Sequence, residues 1–287
     1  MSVLREQMIR DMNLKGLSQK TIQSYVRYIV DYARYYKTTP DKLGPNEIKD
    51  YLSYLISQRK LSNEYVRGCY CAMRFLYETT LAMNWESFKI PQLKRKRKTP
   101  EIPTDQEIQK IFDNAPQEKY RTMFTLMFAT GMRIGEAIQL QIKDIQPERS
   151  LIQIWNGKGQ KDRVTLLSPA LLKELEEHLK KNKPTKWVFA GDKPGTHITA
   201  RSVQRAFKNS LAKASITKQF TVHTLRHKFA TSVVEMGNDI YRLQQLMGHS
   251  YVRTTSRYIH ISNLHALTVE SPLEKLVKDK KKSNDNT

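Results

Sequence analysis

Two histidines, an arginine and a tyrosine stand close together near the end of the chain, in segment 221–261. His223 and Arg226 are three residues apart, and His249 and Tyr258 follow. Positions three apart share one face of a helix, so His223 and Arg226 are expected to point at the same spot. A guanidinium presents paired donors to two phosphate oxygens, and an imidazole can donate a hydrogen bond or move a proton near neutral pH. The spacing therefore predicts a bound phosphate.

Two further cations are candidates for the same chemistry. Arg133 stands at a predicted helix start, where a positive charge is unfavourable unless an anion lies nearby, although Glu136 can simply pair with it. Residues 151–167 predict a β-hairpin with Lys158 at its tip, between two glycines. There a long ammonium could reach a groove and donate a proton, and the alternative is an ordinary hairpin lysine. Arg163 on the same hairpin is expected to touch a backbone phosphate or solvent.

The elements before these residues predict a helical bundle. Four segments with helical periodicity fill the first ninety residues, with Ser18 and Asn46 as candidate N-caps and Trp85 closing the bundle. The fourth segment is expected to run from about 62 to 83. It carries Cys69 and Cys71, which point in different directions when two apart on a helix. We therefore expect buried thiols rather than a disulfide or a metal site.

A second domain is predicted to begin at a capping box formed by Thr104 and Glu107. Helices that end at Gly131, Gly237 and Gly248 follow, with a short strand at 186–189. The predicted fold is mainly α with a small β-sheet, and the second domain is mixed α/β and mostly helical. The predicted boundaries are 1–90 for the helical domain, 91–103 for a basic linker, 104–262 for the second domain and 263–287 for a C-terminal helix and tail.

The charge balance points to a polyanionic partner. The chain has 287 residues, a formal net charge of +21 and a pI near 9.8. Such a surplus attracts DNA or RNA. Residues 1–99 alone hold 19 Lys and Arg against 9 Asp and Glu. Contact with a phosphate backbone is expected from the linker residues Lys94, Arg95, Lys96, Arg97 and Lys98, and from Arg201 and Arg205 on one helix face. A solubilising spacer or a localisation signal is the alternative for the linker.

The first residues suggest where the protein acts. Residues 1–16 carry charges where a signal peptide would have its apolar stretch, and no apolar run is long enough to span a bilayer. We therefore expect the protein in the cytoplasm.

The order of the candidate residues is more specific than any one of them. Arg133 is followed by Lys158 in a Gly-Lys-Gly turn. Then come His223 with Arg226 three residues later, His249 directly after Gly248, and Tyr258 nine residues after His249. The chain resembles the tyrosine recombinase family, which includes the phage integrases and the Xer-like site-specific recombinases. Five segments carry the resemblance: ATGMRIGEA, NGKGQKDR, HTLRHKFAT, LMGHS and TSRYIHI. The resemblance covers residues 100–262, and the preceding bundle looks like the core-binding domain of the family.

The resemblance implies a mechanism. Tyr258 would attack the scissile phosphate and form a 3′-phosphotyrosyl link, while Arg133 and Arg226 hold the nonbridging oxygens. Lys158 would act as general acid for the leaving 5′-oxygen. His223 and His249 would hydrogen-bond the phosphate, and His223 is the candidate proton acceptor from Tyr258. Neither a metal nor ATP would be needed.

The resemblance also implies an assembly. A clamp around duplex DNA and a homotetramer on two sites would exchange strands through a Holliday junction, in integration, excision, inversion or resolution, with possible accessory proteins. The segment 263–277 is expected to be a helix that docks on a neighbouring protomer or on its own domain.

Three rival functions remain open at this point. A metal-dependent nuclease is suggested by the seven histidines, although no paired carboxylates or HExxH spacing accompany them. A DNA-binding regulator or architectural protein could keep the fold without cutting DNA. A type IB topoisomerase uses related chemistry and is distinguished by relaxation without strand exchange between two sites.

Overall fold

The computed structural model of the chain describes residues 3–91, 100–155, 162–249 and 251–259. The chain divides into two compact units, Met1–Lys98 and Thr99–Thr287. Both are mostly helical and the second contains a small antiparallel sheet, which confirms the predicted fold class. In the described ranges, no helix combines the length and the apolar character that crossing a membrane requires. The predictions for Lys94–Lys98, for Lys158 and for a helix at 263–277 fall outside the described residues.

The first unit is a bundle of four helices. Ser18 caps the second helix as predicted, because its side chain accepts from the Thr21 N–H at 3.2 Å. Trp85 is buried against the bundle, and its indole N–H donates to the Tyr70 hydroxyl at 3.3 Å. The helices are α1 (Val3–Leu14), α2 (Gln19–Tyr36), α3 (Pro45–Ser57) and α4 (Asn63–Arg74), and α4 continues into a π-helical turn at Phe75–Thr80.

Three local predictions in this unit were wrong. Asn46 does not cap α3: the N-cap is Gly44, whose backbone N–H donates to Glu47 at 2.8 Å, because Pro45 takes the first helical position. The fourth helical segment ends at Thr80 rather than near 83, after its change to π geometry. Cys69 is buried as expected, whereas Cys71 is exposed, since two residues along a helix face different directions.

The second unit begins with the predicted capping box. The Glu107 N–H donates to the Thr104 hydroxyl at 3.2 Å, and the Thr104 N–H donates to the Glu107 carboxylate at 2.8 Å. The helices are α5 (Asp105–Asp113), α6 (Glu118–Thr130), α7 (Ile134–Ile138), α8 (Pro169–Asn182), α9 (Ala200–Lys213), α10 (Val222–Glu235), α11 (Ile240–Met247) and α12 (Val252–Thr255), followed by a 3₁₀ turn at Ser256–Tyr258.

The sheet of this unit has three antiparallel strands in the order β1-β2-β3. They are β1 (Ile145–Gln146), β2 (Leu151–Ile154) and β3 (Arg163–Leu166), and Ile152 pairs with both Ile145 and Thr165. The strand predicted at 186–189 was wrong, because Trp187 forms only an isolated bridge with Gln141. The apolar residues Val188 and Phe189 are buried in the core without a ladder of their own.

Helix α6 lies in the core of this unit and packs against α8, α9 and α10. Its Met123, Phe124, Leu126 and Met127 are fully buried. Helix α11 packs on both α10 and β3. These contacts bring the C-terminal ends of α6 and α11 beside the first two turns of α10, where the candidate residues lie.

Candidate functional site

Arg226 is at the centre of the candidate site. It lies in the second turn of α10, a helix that begins at Val222 with the Thr221 N–H donating to the Thr224 hydroxyl at 3.0 Å. Only 1% of its surface is exposed. A guanidinium buried this deeply requires acceptors on every side, because an unpaired buried charge is very costly.

Two of these acceptors are carbonyl groups at the ends of helices. The Nη1 group of Arg226 donates to the Gly131 carbonyl, and the Nη2 group donates to the Met247 carbonyl at 2.5 Å. Gly131 and Gly248 end α6 and α11 with φ values of +63° and +59°, as the sequence predicts. The left-handed residues stop both helices and leave their last carbonyls available to Arg226.

The positive charge of Arg226 is poorly compensated. Burial is the main cause that lowers its pKa to about 9, and repulsion by Arg133 adds to the effect. The cation is still the form present at neutral pH, because about 9 lies above 7. An anion beside it would offset the cost of burying this charge.

Arg133 lies beside the C-terminal end of α11, which also contributes a carbonyl group to Arg226. It is the N-cap residue of α7, and its Nη2 group donates to the Gly248 carbonyl at 3.3 Å. Its Nη1 group pairs with Glu136 at 2.8 Å. From the sequence, this pairing was the alternative to contact with an anion. Arg133 therefore has a carboxylate partner and also borders the glycine that precedes His249.

Arg163 forms an arginine cluster with Arg133 and Arg226, around the carboxylate of Glu136. This is contrary to the expectation that Arg163 touches DNA backbone or solvent. Its Nη2 group lies 2.6 Å from a carboxylate oxygen of Glu136, and 7% of its side chain is exposed. Its Nε and Nη1 groups are buried and have no hydrogen-bond partner in the described part of the chain. Burial lowers the pKa of Arg163, although the charge of Glu136 opposes this. The chain folds β3 against α11, which is the reason why this strand residue faces inward.

His249 links Arg226 to the residues before the tyrosine. The Nη2 group of Arg226 lies 3.1 Å from Nε2 of His249, and Nδ1 of His249 lies 2.8 Å from the Thr255 hydroxyl. A guanidinium only donates, so Nε2 accepts and the neutral ring carries its proton on Nδ1. His249 is thereby fixed in both tautomer and orientation.

Tyr258 packs in the same pocket. Its ring is nearly parallel to that of His249, with an interplanar angle of 10° and centroids 6.5 Å apart. Only 2% of the residue is exposed, and it lies against Phe229, Leu243 and Met247. The 3₁₀ turn after α12 places it, because that turn packs on α10.

The hydroxyl of Tyr258 contacts a residue that the sequence did not single out. It lies 2.8 Å from Nδ1 of His227. His227 follows Arg226 and is four residues after His223, and the two imidazole rings meet edge to face at 4.6 Å. The sequence signal that could have identified His227 is its position one helical turn after His223, which places both rings on one face of α10.

The structure thus brings together four of the candidate residues: Arg133, Arg226, His249 and Tyr258. His223 is exposed at the start of α10 and joins them through the ring of His227. Arg201 and Arg205 are exposed on α9, as predicted. Within the described residues, no group of three or more His, Cys, Asp or Glu side chains has the arrangement of a metal site.

A helical bundle followed by a mostly helical unit with one small sheet matches solved structures of recombinases. A λ integrase dimer bound to a COC′ core site is similar to this chain with a TM-score of 0.73 and 18% identity, over 89% of this chain and 75% of the integrase. A crystal structure of XerA recombinase is similar with a TM-score of 0.52 and 26% identity, over 90% of this chain and 92% of XerA.

The chain belongs to the phage integrase family, whose sequence model matches residues 102–265. The phage integrase N-terminal SAM-like domain matches residues 4–87. A putative integrase/recombinase, y4qK of Sinorhizobium fredii, is 34% identical over 96% of this chain and 90% of its own length. The tyrosine recombinase XerD of Oceanobacillus iheyensis is 29% identical over 86% of this chain and 90% of its own length. The resemblance seen in the sequence motifs is therefore confirmed.

Proposed function

We propose that this protein is a site-specific recombinase that cleaves and rejoins DNA strands through a 3′-phosphotyrosyl intermediate. The observation that carries the proposal is the arrangement of Arg226, His249 and Tyr258. Arg226 donates to His249 at 3.1 Å, and His249 stacks in parallel with the ring of Tyr258. A nucleophile beside a preorganised cation and a fixed imidazole is the arrangement that attack on a phosphodiester requires.

The proposed reaction uses the residues in separate roles. The Tyr258 oxygen attacks phosphorus, the bond to the 5′-oxygen breaks, and Lys158 supplies the proton to that oxygen. Arg133 and Arg226 stabilise the negative charge on the nonbridging oxygens, and His223 hydrogen-bonds the phosphate. His249 would do the same once its Nε2 atom is released from Arg226 and protonated. The bond energy is retained in the phosphotyrosyl link, so attack by another 5′-hydroxyl can rejoin the strand without ATP.

The charge of the cluster supports a phosphate as the ligand. Arg133, Arg163 and Arg226 supply three positive charges against the single carboxylate of Glu136, which leaves a surplus of two. Arg163 and Arg133 both contribute to the lowered pKa of Arg226. A phosphodiester entering this region would relieve the repulsion between the guanidinium groups, because like charges this close destabilise one another.

Contacts outside the cluster would hold the duplex. We assign this role to the basic run Lys94–Lys98 and to Arg201 and Arg205 on the exposed face of α9. Phosphate contacts of this kind supply affinity and register, and they carry no base sequence. The proposed active assembly is a homotetramer on two recombination sites in the cytoplasm, with the segment 263–277 docking on a neighbouring protomer or on its own domain.

A covalent-adduct assay tests the proposal. Duplex DNA from the native locus, nicked near candidate cleavage points, is incubated with the protein in EDTA and resolved on a denaturing protein gel. We expect an adduct with wild type and none with Tyr258→Phe. Binding without an adduct on any substrate would favour a DNA-binding regulator, and cleavage that EDTA abolishes would favour a metal-dependent nuclease. Relaxation without strand exchange between two sites would identify a topoisomerase.

A further inference from the structure

His227 contacts the oxygen that the proposed function uses as nucleophile. The distance from its Nδ1 atom to the Tyr258 hydroxyl is 2.8 Å, although 31 residues separate the two in the chain. This is within the range at which a candidate base can take a proton directly. The inference that follows rests on the proposed function, since it concerns the same tyrosine.

The phenol of Tyr258 must lose its proton when it attacks phosphorus. A neutral imidazole has one nitrogen that donates and one that accepts. With the Tyr258 hydroxyl as donor, Nδ1 of His227 is the accepting nitrogen and Nε2 carries the ring proton. The proton thus has a short and direct path to His227.

His249 is less suited to this role because its accepting nitrogen is already used. Its Nε2 atom accepts from Arg226 at 3.1 Å, and its Nδ1 atom is bonded to Thr255. His223 is exposed at the start of α10 and packs edge to face on the ring of His227. This position leaves its ring accessible to an incoming phosphate.

The positive charge of Arg226 lies close enough to interact with Tyr258. It would attract the negative charge that develops on the tyrosine oxygen as His227 takes the proton. Among the described residues, the titratable side chains that contact His227 include His223 on its own helix and Tyr258 on the following 3₁₀ turn.

We propose that His227 is the catalytic base that accepts the hydroxyl proton of Tyr258 during strand cleavage. The O–H bond of Tyr258 breaks and an N–H bond forms at Nδ1 of His227. The oxygen of Tyr258 bonds to phosphorus, and the bond from phosphorus to the 5′-oxygen breaks. In religation the imidazolium of His227 returns the proton to the departing tyrosine oxygen, so no external reactant is consumed.

The test separates proton removal from protonation of the leaving group. Rates of adduct formation are measured with two nicked duplexes, one with an ordinary phosphodiester and one with sulfur in place of the leaving 5′-oxygen. A thiolate leaves without a proton, so a defect in the general acid is rescued by sulfur. The variants are His227→Asn, His223→Asn and Lys158→Ala. Asn places an acceptor near the Nδ1 position and cannot take a proton.

We expect His227→Asn to lower the adduct rate by about 10²-fold or more, the size usual for a lost general base. The loss should persist with the sulfur substrate, whereas Lys158→Ala should regain activity. The rate of His227→Asn should also rise about tenfold per pH unit, because hydroxide then has to generate the phenolate. Added imidazole should restore part of the activity of His227→Ala, which covers the case in which the Asn variant folds poorly.

Three results with His227→Asn would overturn the inference: an adduct rate within about threefold of wild type, full rescue by the sulfur substrate, or a defect of the same size at every pH. A fourth would be the expected pattern of losses in His223→Asn and not in His227→Asn. A wild-type adduct that disappears in Tyr258→Phe, together with any of these, removes the role of His227 and leaves the recombinase function standing. No adduct with wild type on any substrate would remove both.

Discussion

Gly248 lies so close to Arg163 that a Cβ added to the glycine would displace the arginine side chain. A Cβ on Gly248 would be 2.6 Å from Cδ of Arg163 and 2.7 Å from its Nε. Gly248 also has a φ of +59°, which favours glycine. The residue therefore ends α11 and leaves room for the arginine cluster at the same time.

Gly248→Ala is expected to weaken both stability and activity. The left-handed backbone costs roughly 1 kcal/mol with a Cβ, and displacing Arg163 adds about 1–3 kcal/mol. Gly237→Ala is the matched control, because Gly237 has a φ of +77° and nothing within 4 Å of the added Cβ. Urea unfolding followed by tryptophan fluorescence compares them. Equal losses in the two variants would mean that the contact with Arg163 has no energetic consequence.

Glu136 holds two arginines, so its replacement should be costly. In Glu136→Gln both ion pairs are removed, and Arg163, with 7% of its side chain exposed, becomes an uncompensated buried charge. We expect a decrease of about 3 kcal/mol or more in the free energy of unfolding. Glu78→Gln is the control, since it breaks the exposed pair with Arg74 and should cost about 0.5 kcal/mol or less. A similar small change in both would contradict the assigned role of Glu136.

Arg226 should not be replaceable by lysine. Its planar fork donates to two carbonyl groups and to His249, and one ammonium cannot reproduce these directions. We expect Arg226→Lys to slow adduct formation by about 10²–10³-fold, as for a missing transition-state donor, with little change in duplex binding. Arg242→Lys on the exposed face of α11 is the control and should react at the wild-type rate. Adduct gels and gel-shift titrations provide the two measurements.

The two cysteines should react very differently with thiol reagents. Burial raises the pKa of Cys69 to about 12, so its thiol stays protonated at every pH below that value, and the thiolate is the reactive form. Cys71 is exposed. With Ellman's reagent at pH 8 we expect one thiol to react rapidly in the folded protein and two to react in denaturant. Cys71→Ser should abolish the rapid reaction, and persistence of that reaction would show that Cys69 is accessible.

Local features of the site could be predicted from the sequence because their causes are local. Gly131 and Gly248 end helices by their left-handed conformation, and Thr104 with Glu107 forms a capping box from residues three apart. The apolar periodicity indicated the helices and the fold class for the same reason. The strand predicted at 186–189 failed because a strand needs a ladder of pairs with a distant partner, and within this segment only Trp187 forms a bridge.

Contacts between distant residues could not be predicted in this way. Arg163 and Glu136 are 27 positions apart, and His227 and Tyr258 are 31 apart. Nothing in the local pattern distinguishes Arg163 from an exposed hairpin residue, since its burial results from the packing of β3 on α11. His227 was not predicted for another reason. The spacing of His223 and Arg226 already explained the polar residues on that face of α10, so the pattern did not indicate a third residue there.

The exposed face of α9 should contribute affinity for DNA without contributing chemistry. Arg201 and Arg205 lie one helical turn apart and are both exposed. We expect Arg201→Ala/Arg205→Ala to weaken duplex binding and to reduce the slope of log K against log salt by about 0.9 for each phosphate that is no longer neutralised. Lys173→Ala/Lys180→Ala on α8 removes the same charge from exposed positions of another helix and serves as the control. Binding measured by fluorescence anisotropy at several salt concentrations gives both slopes. Equal slopes in the two double variants would show that α9 acts only through net charge, whereas a smaller slope confined to the α9 variant would place phosphates at Arg201 and Arg205.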